Sequence, residues 1–293
     1  MQLNSKFKAL LAGATLALGL AACGGSGGSG GSGDTAQNGG QPAAPAADTV
    51  AAIKERGTIR IGVFGDKPPF GYVDAEGKNQ GFDVEIAKEM AKDLLGSPDK
   101  VEFVLTEAAN RVEYARSGKV DLVLANFTQT PERAEAVDFA APYMKVALGV
   151  VSPAGKQITD VAQLKDQTLL VNKGTTADAF FSKNHPEVKL LKFDQNTETF
   201  DALKDGRGVA LAHDNALLWA WAKENPGYEV GIGNIGPAEV IAPAVKKGDQ
   251  ALLDWVNGEI AAMKQDGRLK AAYEKTLKPV YGDKVKAEDL LAE

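Results

Sequence analysis

Short apolar runs alternate with helical patterns along most of the chain, from residue 48 to residue 293. Runs rich in aliphatic and β-branched residues predict strands at residues 58–63, 101–105, 120–124, 146–151, 168–171, 188–193, 209–212 and 240–245. Apolar residues at helical spacing predict helices at residues 82–95, 108–116, 199–204, 215–223, 250–264 and 269–276, and another directly after residue 174. This alternation favours an α/β fold in which helices cover mixed β-sheets.

The predicted elements fall into two successive α/β series, followed by closing helices. Extended runs at residues 143–151 and 240–245 are candidates for two crossings of the chain between two lobes. We therefore expect a first lobe at residues 48–146, a second lobe at 147–239, and a return to the first lobe with C-terminal helices at 240–293. Small ligands commonly bind in a cleft between two such lobes.

The first 22 residues have the features of a secretory signal peptide. They contain two lysines, no acidic residue, and an apolar stretch at residues 9–20 that is too short to span a bilayer. The stretch ends in Leu-Ala-Ala-Cys, which resembles a bacterial lipobox and makes Cys23 the predicted site of lipid attachment. The alternative is a plain signal peptide that happens to precede a cysteine. Attached acyl chains would hold the protein at the extracytoplasmic face of a bacterial membrane.

Residues 24–47 are rich in Gly, Ser and Pro and contain almost no side chain large and apolar enough to bury. Such a composition is typical of a flexible linker. Together with Cys23, this segment is therefore predicted to tether the folded body to the membrane.

The composition excludes several classes of site and partner. One cysteine cannot form an internal disulfide or a Cys-rich zinc site, and two histidines cannot supply a three-His site. The net charge is −6, and removal of residues 1–22 leaves 31 basic against 39 acidic side chains, a net charge of −8. An acidic chain is a poor binder of nucleic acid. We expect no metal, no cofactor and no nucleic-acid partner.

One motif predicts an anion site. Residues 121–133 (DLVLANFTQTPER) describe a buried strand, a polar loop, and a helix that starts with Thr130 and Pro131. The free N–H groups of that helix start, together with Arg133, suit a carboxylate. The alternative is a capped helix with a surface arginine.

The same run resembles the ligand loop of polar amino-acid-binding proteins of ABC importers, the bacterial extracellular solute-binding proteins of family 3. The resemblance implies that Arg133 binds the ligand α-carboxylate and that Asn126 and Thr128 supply hydrogen bonds from the loop. Residues 173–178 (KGTTAD) are similar to the family's helix start in the second lobe, where Thr175 and Thr176 would grip the carboxylate.

The resemblance also covers residues 212–215 (AHDN), which follow a predicted strand. It implies that Asp214 pairs with the ligand α-ammonium. The alternative for Asp214 is an N-cap of the following helix, and the two roles are compatible.

Residues 109–113, 125–130 and 194–200 are most similar to cysteine-binding lipoproteins within the family. The resemblance places candidates for the side-chain pocket at Phe64, Lys67 and Arg111, although many relatives carry a tyrosine where Lys67 stands. Phe70, also in this region, is more consistent with the core. An ion pair of Arg111 with Glu107 or Glu113 on its own helix is the alternative to ligand contact.

The resemblance implies a two-lobed type II periplasmic-binding-protein fold and a monomer that delivers an amino acid to a membrane permease with its ATPase subunit. Cysteine or cystine is the expected ligand, with an acidic amino acid or glutamine as the alternative. A dehydratase-like enzyme on the same fold is a second alternative, because a fold does not fix a function. Such an enzyme would need an acid or base at the ligand, and His213, expected at the surface or facing the hinge, is the candidate.

Overall fold

The computed structural model describes residues 48–293. The predicted signal peptide, Cys23 and the tether to residue 47 lie outside the described residues. The α-helices of the described part are α1 (Thr49–Arg56), α2 (Phe82–Leu95), α3 (Arg111–Ser117), α4 (Pro131–Ala136), α5 (Thr176–Asn184), α6 (Asn196–Lys204), α7 (Asn215–Glu224), α8 (Gln250–Asp266), α9 (Arg268–Thr276), α10 (Lys278–Tyr281) and α11 (Ala287–Leu290).

The strands form three sheets. They are β1 (Ile59–Val63), β2 (Asp66–Lys67), β3 (Gly71–Val73), β4 (Asn79–Gln80), β5 (Val101–Leu105), β6 (Leu122–Val123), β7 (Val137–Phe139), β8 (Met144–Pro153), β9 (Thr168–Asn172), β10 (Lys189–Phe193), β11 (Ala210–Asp214), β12 (Tyr228–Ile241) and β13 (Ala244–Lys246). The two larger sheets have the strand orders β5-β1-β6-β13-β7 and β10-β9-β11-β8-β12, and β2, β3 and β4 form a small third sheet.

The two larger sheets are built alike. In each sheet three neighbouring strands are parallel, the fourth strand pairs antiparallel with the third, and the fifth pairs antiparallel with the fourth. The strands of the first sheet lie between residues 59 and 139 and at 244–246, whereas those of the second lie between 144 and 241. The chain therefore passes from one sheet to the other twice. The lobe boundaries after residues 146 and 239 stay a prediction.

The amphipathic pattern of α2 shows why the sequence folds in this way locally. Its apolar positions Phe82, Ile86 and Met90 are buried in the core below the first sheet. The helix ends at Gly96, whose φ of 82° gives the left-handed conformation that glycine adopts readily at a C-cap. Periodicity and the terminal glycine together fix this helix.

The late strand predicted at residues 240–245 is wrong as a single element. Strand β12 ends at Ile241 in the second sheet, and β13 begins at Ala244 in the first sheet. Pro243 stands between them, and a proline has no N–H with which to continue a β-ladder. The break lets the chain leave one sheet and enter the other.

Within residues 48–293, no helix combines the length and the apolar character needed to cross a membrane. The same residues contain no group of three or more His, Cys, Asp or Glu side chains arranged to hold a metal ion.

Candidate functional site

The carboxyl ends of parallel strands from both sheets meet around one small cavity. Phe64 follows β1, the loop with Asn126 and Thr128 follows β6, and Thr175 and Thr176 follow β9. In open α/β sheets, ligands bind in the crevice outside the carboxyl ends of the strands. The topology therefore brings together segments that are far apart in the sequence.

The cavity lies between the two lobes and is small, with a volume of about 10 Å³. Its walls are polar and charged as well as aromatic, formed by Phe64, Lys67, Arg111, Asn126, Thr128, Thr175, Thr176, His213 and Asp214. All of these side chains are buried. Polar and charged groups of both lobes thus converge on one place, an arrangement that suits a small polar ligand.

An ion pair crosses this cavity from one lobe to the other. Lys67 Nζ lies 2.9 Å from Asp214 Oδ2, and it also donates a hydrogen bond to Asn126 Oδ1. Burial is the largest single effect and would raise the pKa of Asp214, but the charge of Lys67, the hydrogen bond from Lys67 and the neighbouring His213 together hold that pKa below its ordinary range. Asp214 is therefore ionised and available to a cationic group of a ligand.

Arg111 is a buried cation held by backbone carbonyl groups. Its guanidinium donates to the carbonyl oxygens of Ala108, Ala125 and Asn126 at 3.0–3.1 Å and more weakly to that of Gly174 at 3.4 Å. Burial lowers the pKa of Arg111 well below its ordinary value, yet an arginine stays protonated in proteins. The predicted alternative, an ion pair with Glu107 or Glu113, is not what the structure shows.

Arg133 borders the cavity from the first lobe. Thr130 caps the N-terminus of α4, which starts with Pro131, and so fixes the backbone from which Arg133 projects. The guanidinium donates to the carbonyl oxygen of Thr128 at 2.6 Å and to that of Gly174, in the second lobe, at 2.9 Å. Two guanidinium groups, of Arg111 and Arg133, thus meet at one carbonyl oxygen of the opposite lobe.

Gly174 is packed closely against the first lobe. Its φ is 73°, and a Cβ atom added to it would lie 2.7 Å from the Cα atom of Ala109. A normal van der Waals contact between carbon atoms is longer than 3.4 Å. Glycine at this position therefore permits the close approach of the two lobes.

A second polar contact joins the lobes beside the cavity. Asp66 Oδ2, in β2, accepts the backbone N–H groups of Asn196 at 2.6 Å and of Thr197 at 3.4 Å. Helix α6 begins there, and Gln195 at its N-cap position supplies no side-chain hydrogen bond. The first lobe thus caps a helix of the second lobe, where the positive end of the helix favours a carboxylate.

A buried carboxylate shapes the first-lobe loop. Asp83 accepts the backbone N–H of Asn126 at 2.7 Å and the hydroxyl of Tyr143 at 2.8 Å. Asn126 has a φ of 44°, a left-handed conformation that asparagine tolerates better than most residues. Burial raises the pKa of Asp83 to about 7, although both hydrogen bonds oppose that shift. Asp83 holds the loop that carries Asn126 and Thr128.

The expectation that His213 lies at the surface or faces the hinge is wrong. His213 is 2% exposed and lines the cavity, because β11 is buried along its whole length. Its Nδ1 accepts the backbone N–H of Asp214 at 2.7 Å, which places the ring proton on Nε2. Burial lowers the pKa of His213, and the positive charge of Lys67 lowers it further, so the ring is neutral.

The cavity collects most of the predicted site residues in one place. Its lining includes Phe64, Lys67, Arg111, Asn126, Thr128, Thr175, Thr176 and Asp214, whereas Arg133 contacts its edge through Thr128 and Gly174. Whether each of them binds a ligand stays a prediction. Phe70, which the sequence placed in the core, is fully buried there.

Asp214 occupies the N-cap position of α7, but its carboxylate accepts no capping hydrogen bond from the helix, so the ion pair with Lys67 is its observed role. Asp83 and Asp66 were not identified from the sequence. For Asp83 a signal existed, since it lies one position from Phe82 and three from Ile86 on the apolar face of α2. Nothing local marks Asp66, because its partner is 130 residues away.

The sequence matches the model of the family "Bacterial extracellular solute-binding proteins, family 3" over residues 59–279. The chain belongs to this family. Its two-lobed α/β fold, with a mixed sheet in each lobe, is confirmed by the solved structures that it resembles. The match begins at β1 and ends in α10, so it covers both sheets and every residue that lines the cavity.

Two solved structures are similar over most of the chain. The solute receptors for L-cysteine of Neisseria gonorrhoeae are 88% identical, with a TM-score of 0.83, over 83% of this chain and 99% of that one. The cysteine-binding protein of Campylobacter jejuni is 58% identical, with a TM-score of 0.82, over 84% of this chain and 99% of that one. The ABC transporter glutamine-binding protein GlnH of Bacillus subtilis is 37% identical over 79% of this chain and 85% of its own length.

Proposed function

We propose that this family member is the solute-binding component of an ABC importer and that it captures L-cysteine in the cavity between its lobes. The observation that carries the proposal is the closed cavity in which Asp214 faces cationic groups of the first lobe. A zwitterionic amino acid needs a carboxylate for its ammonium group and a cation for its carboxylate. Each ligand charge would then be paired as it loses water, which makes its burial tolerable.

Arg133 is proposed to hold the ligand carboxylate. Its guanidinium is anchored at Thr128 and Gly174 beside the cavity, where two backbone carbonyls now accept its N–H groups. Thr175 and Thr176 lie at the start of α5, and both line the cavity. The free N–H groups of this helix start are therefore close to the proposed carboxylate site. The buried hydroxyl of Thr176 makes no hydrogen bond of good geometry among the described residues, although the Glu239 carboxylate is close, so it is available to a ligand oxygen.

The identity of the amino acid is inferred from the relatives. The two similar solved structures carry the names of cysteine receptors, and their identity with this chain exceeds that of the glutamine-binding relative. Glutamine is the second candidate, favoured by the name of the Bacillus subtilis relative.

A thermal-shift screen of the twenty amino acids and cystine tests this proposal. A ligand that binds only the folded protein adds about 2.7 kcal/mol of stability at a concentration 100 times its Kd. We expect the largest shift with L-cysteine under reducing conditions and none with D-cysteine. A larger shift with glutamine or cystine would reassign the ligand, and no shift with any amino acid would refute the proposed function.

Two variants test the assigned charges by calorimetry. Arg133→Ala should abolish cysteine binding while the protein stays folded, and Lys165→Gln, at an exposed position, is the control. Asp214→Asn should weaken cysteine much more than its deaminated analogue, 3-mercaptopropionate. Equal losses for the two compounds would contradict the pairing of Asp214 with the ammonium group.

We also propose that the protein binds its ligand without converting it, as a monomer tethered to the membrane through a lipid on Cys23. The closed form would dock on a permease whose ATPase subunit powers import. Mass spectrometry after prolonged incubation should return cysteine unchanged, and a new product would point to an enzyme. When bacteria that express the protein are grown with a palmitate analogue, the protein should carry the analogue, and Cys23→Ser should abolish this labelling.

A further inference from the structure

The side chains that line the cavity carry one more positive than negative charge. Lys67 and Arg111 line it, whereas Arg133 lies outside the lining, beside Arg111 at the carbonyl oxygen of Gly174 and near the carboxylate of Glu239. Asp214 is the single carboxylate that lines the cavity among the residues the structure describes. An empty site can tolerate this excess in contact with water, but closure around a ligand removes that water.

Arg111 makes the excess most evident. It is 3% exposed, and in the described part of the chain it forms an ion pair with no carboxylate. Its contacts are carbonyl oxygens and the faces of two aromatic rings, with the guanidinium carbon 5.5 Å from the centre of the Phe64 ring and 4.5 Å from that of Phe127. Buried charges in proteins are normally paired. Arg111 thus has no carboxylate in direct contact within the described structure, although Asp214 and Asp83 act on it from a greater distance.

A zwitterionic ligand does not remove the excess. Its ammonium group and carboxylate carry opposite charges, so together they add nothing to the net charge of the cavity. If Asp214 pairs with the ammonium and Arg133 with the carboxylate, Lys67 and Arg111 face the ligand side chain without a full counter-charge. A side chain with a negative charge would complete the site.

Cysteine can supply that charge. Its thiol has a pKa of about 8.5, and neighbouring lysine or arginine side chains lower such a pKa. His213 is compatible with this form, because its neutral ring holds a proton on Nε2, which is buried and has no partner in the described structure. This N–H can donate to a sulfur anion, since Asp214, the single carboxylate in the described lining, lies on the Nδ1 side of the ring, with Oδ2 3.5 Å from Nδ1.

We propose that the site selects the thiolate form of cysteine. The S–H bond of the ligand breaks, the proton goes to the solvent, and the sulfur anion lies against Lys67 and Arg111. This inference rests on the proposed function, since it concerns the form in which the same ligand binds in the same cavity.

Other titratable groups around the cavity also change the ligand affinity as the pH changes. Asp83 and Tyr143 bond to each other behind the Asn126 loop, and ionisation of Asp83 near pH 7 would disfavour a bound anion as the pH rises. Glu239 lies near Arg133 and Asp214, and burial raises its pKa. These groups act on every amino acid alike, so L-serine, which has a hydroxyl in place of the thiol, provides the reference.

Calorimetry measures the released proton directly. Only about 3% of free cysteine is thiolate at pH 7, given a thiol pKa of about 8.5. Titrations in buffers with different ionisation enthalpies should therefore show the release of about one more proton per site with cysteine than with serine. Between pH 6 and pH 8 the cysteine-to-serine affinity ratio should rise roughly 50- to 100-fold, following the thiolate fraction.

Ultraviolet absorption gives an independent readout, because a thiolate absorbs where a thiol does not. The full-length Cys23→Ser variant is used, since Cys23 is the one cysteine of the sequence and its replacement leaves the ligand as the sole thiol. The thiolate band should appear on addition of cysteine at pH 7. Lys67→Met should lower the cysteine-to-serine affinity ratio at least tenfold, whereas the exposed Lys165→Gln should leave it unchanged.

The outcomes separate the two proposals. Cysteine that binds without extra proton release and without a thiolate band overturns the thiolate inference and leaves the proposed function intact. Failure of cysteine to bind at all refutes the proposed function. If Lys67→Met does not fold, the measurements on the protein with its native Lys67 still decide the question.

Discussion

Replacement of Gly174 by alanine should block closure of the lobes without disrupting either lobe. The added Cβ would lie 2.7 Å from the Cα atom and 2.9 Å from the backbone nitrogen of Ala109, in the opposite lobe. Both neighbours are backbone atoms, which cannot move aside as a flexible side chain can. In an open form the two segments are apart and the clash disappears. The cost therefore falls mainly on the closed, ligand-bound state.

The size of the effect follows from the contacts that closure makes at this residue. The carbonyl oxygen of Gly174 accepts from Arg133 at 2.9 Å and from Arg111 at 3.4 Å. Hydrogen bonds to charged groups contribute about 1.5–3 kcal/mol each. Loss of the stronger of the two corresponds to a decrease in cysteine affinity of roughly ten- to 100-fold. An alanine in the left-handed conformation adds a cost of about 1 kcal/mol in both the open and the closed form.

Gly206→Ala is the matched control for this experiment. Gly206 has a φ of 69°, close to the 73° of Gly174, but a Cβ atom there would meet no atom within 4 Å. Both variants should lose similar stability in denaturant unfolding, whereas only Gly174→Ala should lose cysteine affinity by calorimetry. Small-angle scattering should show the compaction on ligand addition for the control alone. If Gly174→Ala binds cysteine as tightly as Gly206→Ala, the observed approach of the lobes is not that of the bound state.

Two further variants test buried carboxylates in the first lobe. Because the folded pKa of Asp83 is raised to about 7, the folded state holds a proton that the unfolded state releases near pH 4, and stability should fall as the pH rises between these values. Asp83→Asn should remove about 2–3 kcal/mol of that decrease between pH 5 and pH 7 in urea titrations, and an unchanged pH profile would contradict the assignment. Asp121 accepts the backbone N–H of Arg60 at 2.7 Å and pairs with the side chains of Arg56 and Arg60. Asp121→Ala should cost about 1–3 kcal/mol in the same assay while leaving cysteine affinity unchanged, since Asp121 does not line the cavity. A weaker affinity would show that this cluster is coupled to the site.

Elements with a strong local pattern could be predicted from the sequence almost residue by residue. Helix α2 and strand β5 have the predicted bounds, because periodicity and flanking turn residues define them without help from the rest of the fold. The predicted strand at residues 120–124 is shorter in the structure, where β6 spans only Leu122–Val123. The whole of β12 before residue 240 was missed, since its three glycines and Pro237 are poor strand formers.

The candidate site, like the fold, could be predicted from the sequence only in part. Phe64, Asn126 and Thr176 follow strand ends that periodicity locates, so a shared cavity could be expected from the topology. The burial of His213 and the carbonyl contacts of Arg111 could not be expected. They depend on which backbone groups the folded chain places opposite each side chain, and no spacing in the sequence encodes those distances.

The contact between Asp66 and the start of α6 makes two amide groups dependent on the position of the opposite lobe. When the lobes separate, the N–H groups of Asn196 and Thr197 lose their acceptor, because Gln195 does not replace it. Hydrogen–deuterium exchange at these two amides should therefore slow on ligand binding, although neither residue lines the cavity. The exchange rate of the amides in the first turn of α6 thus measures how often the lobes open, and the measurement needs no attached probe.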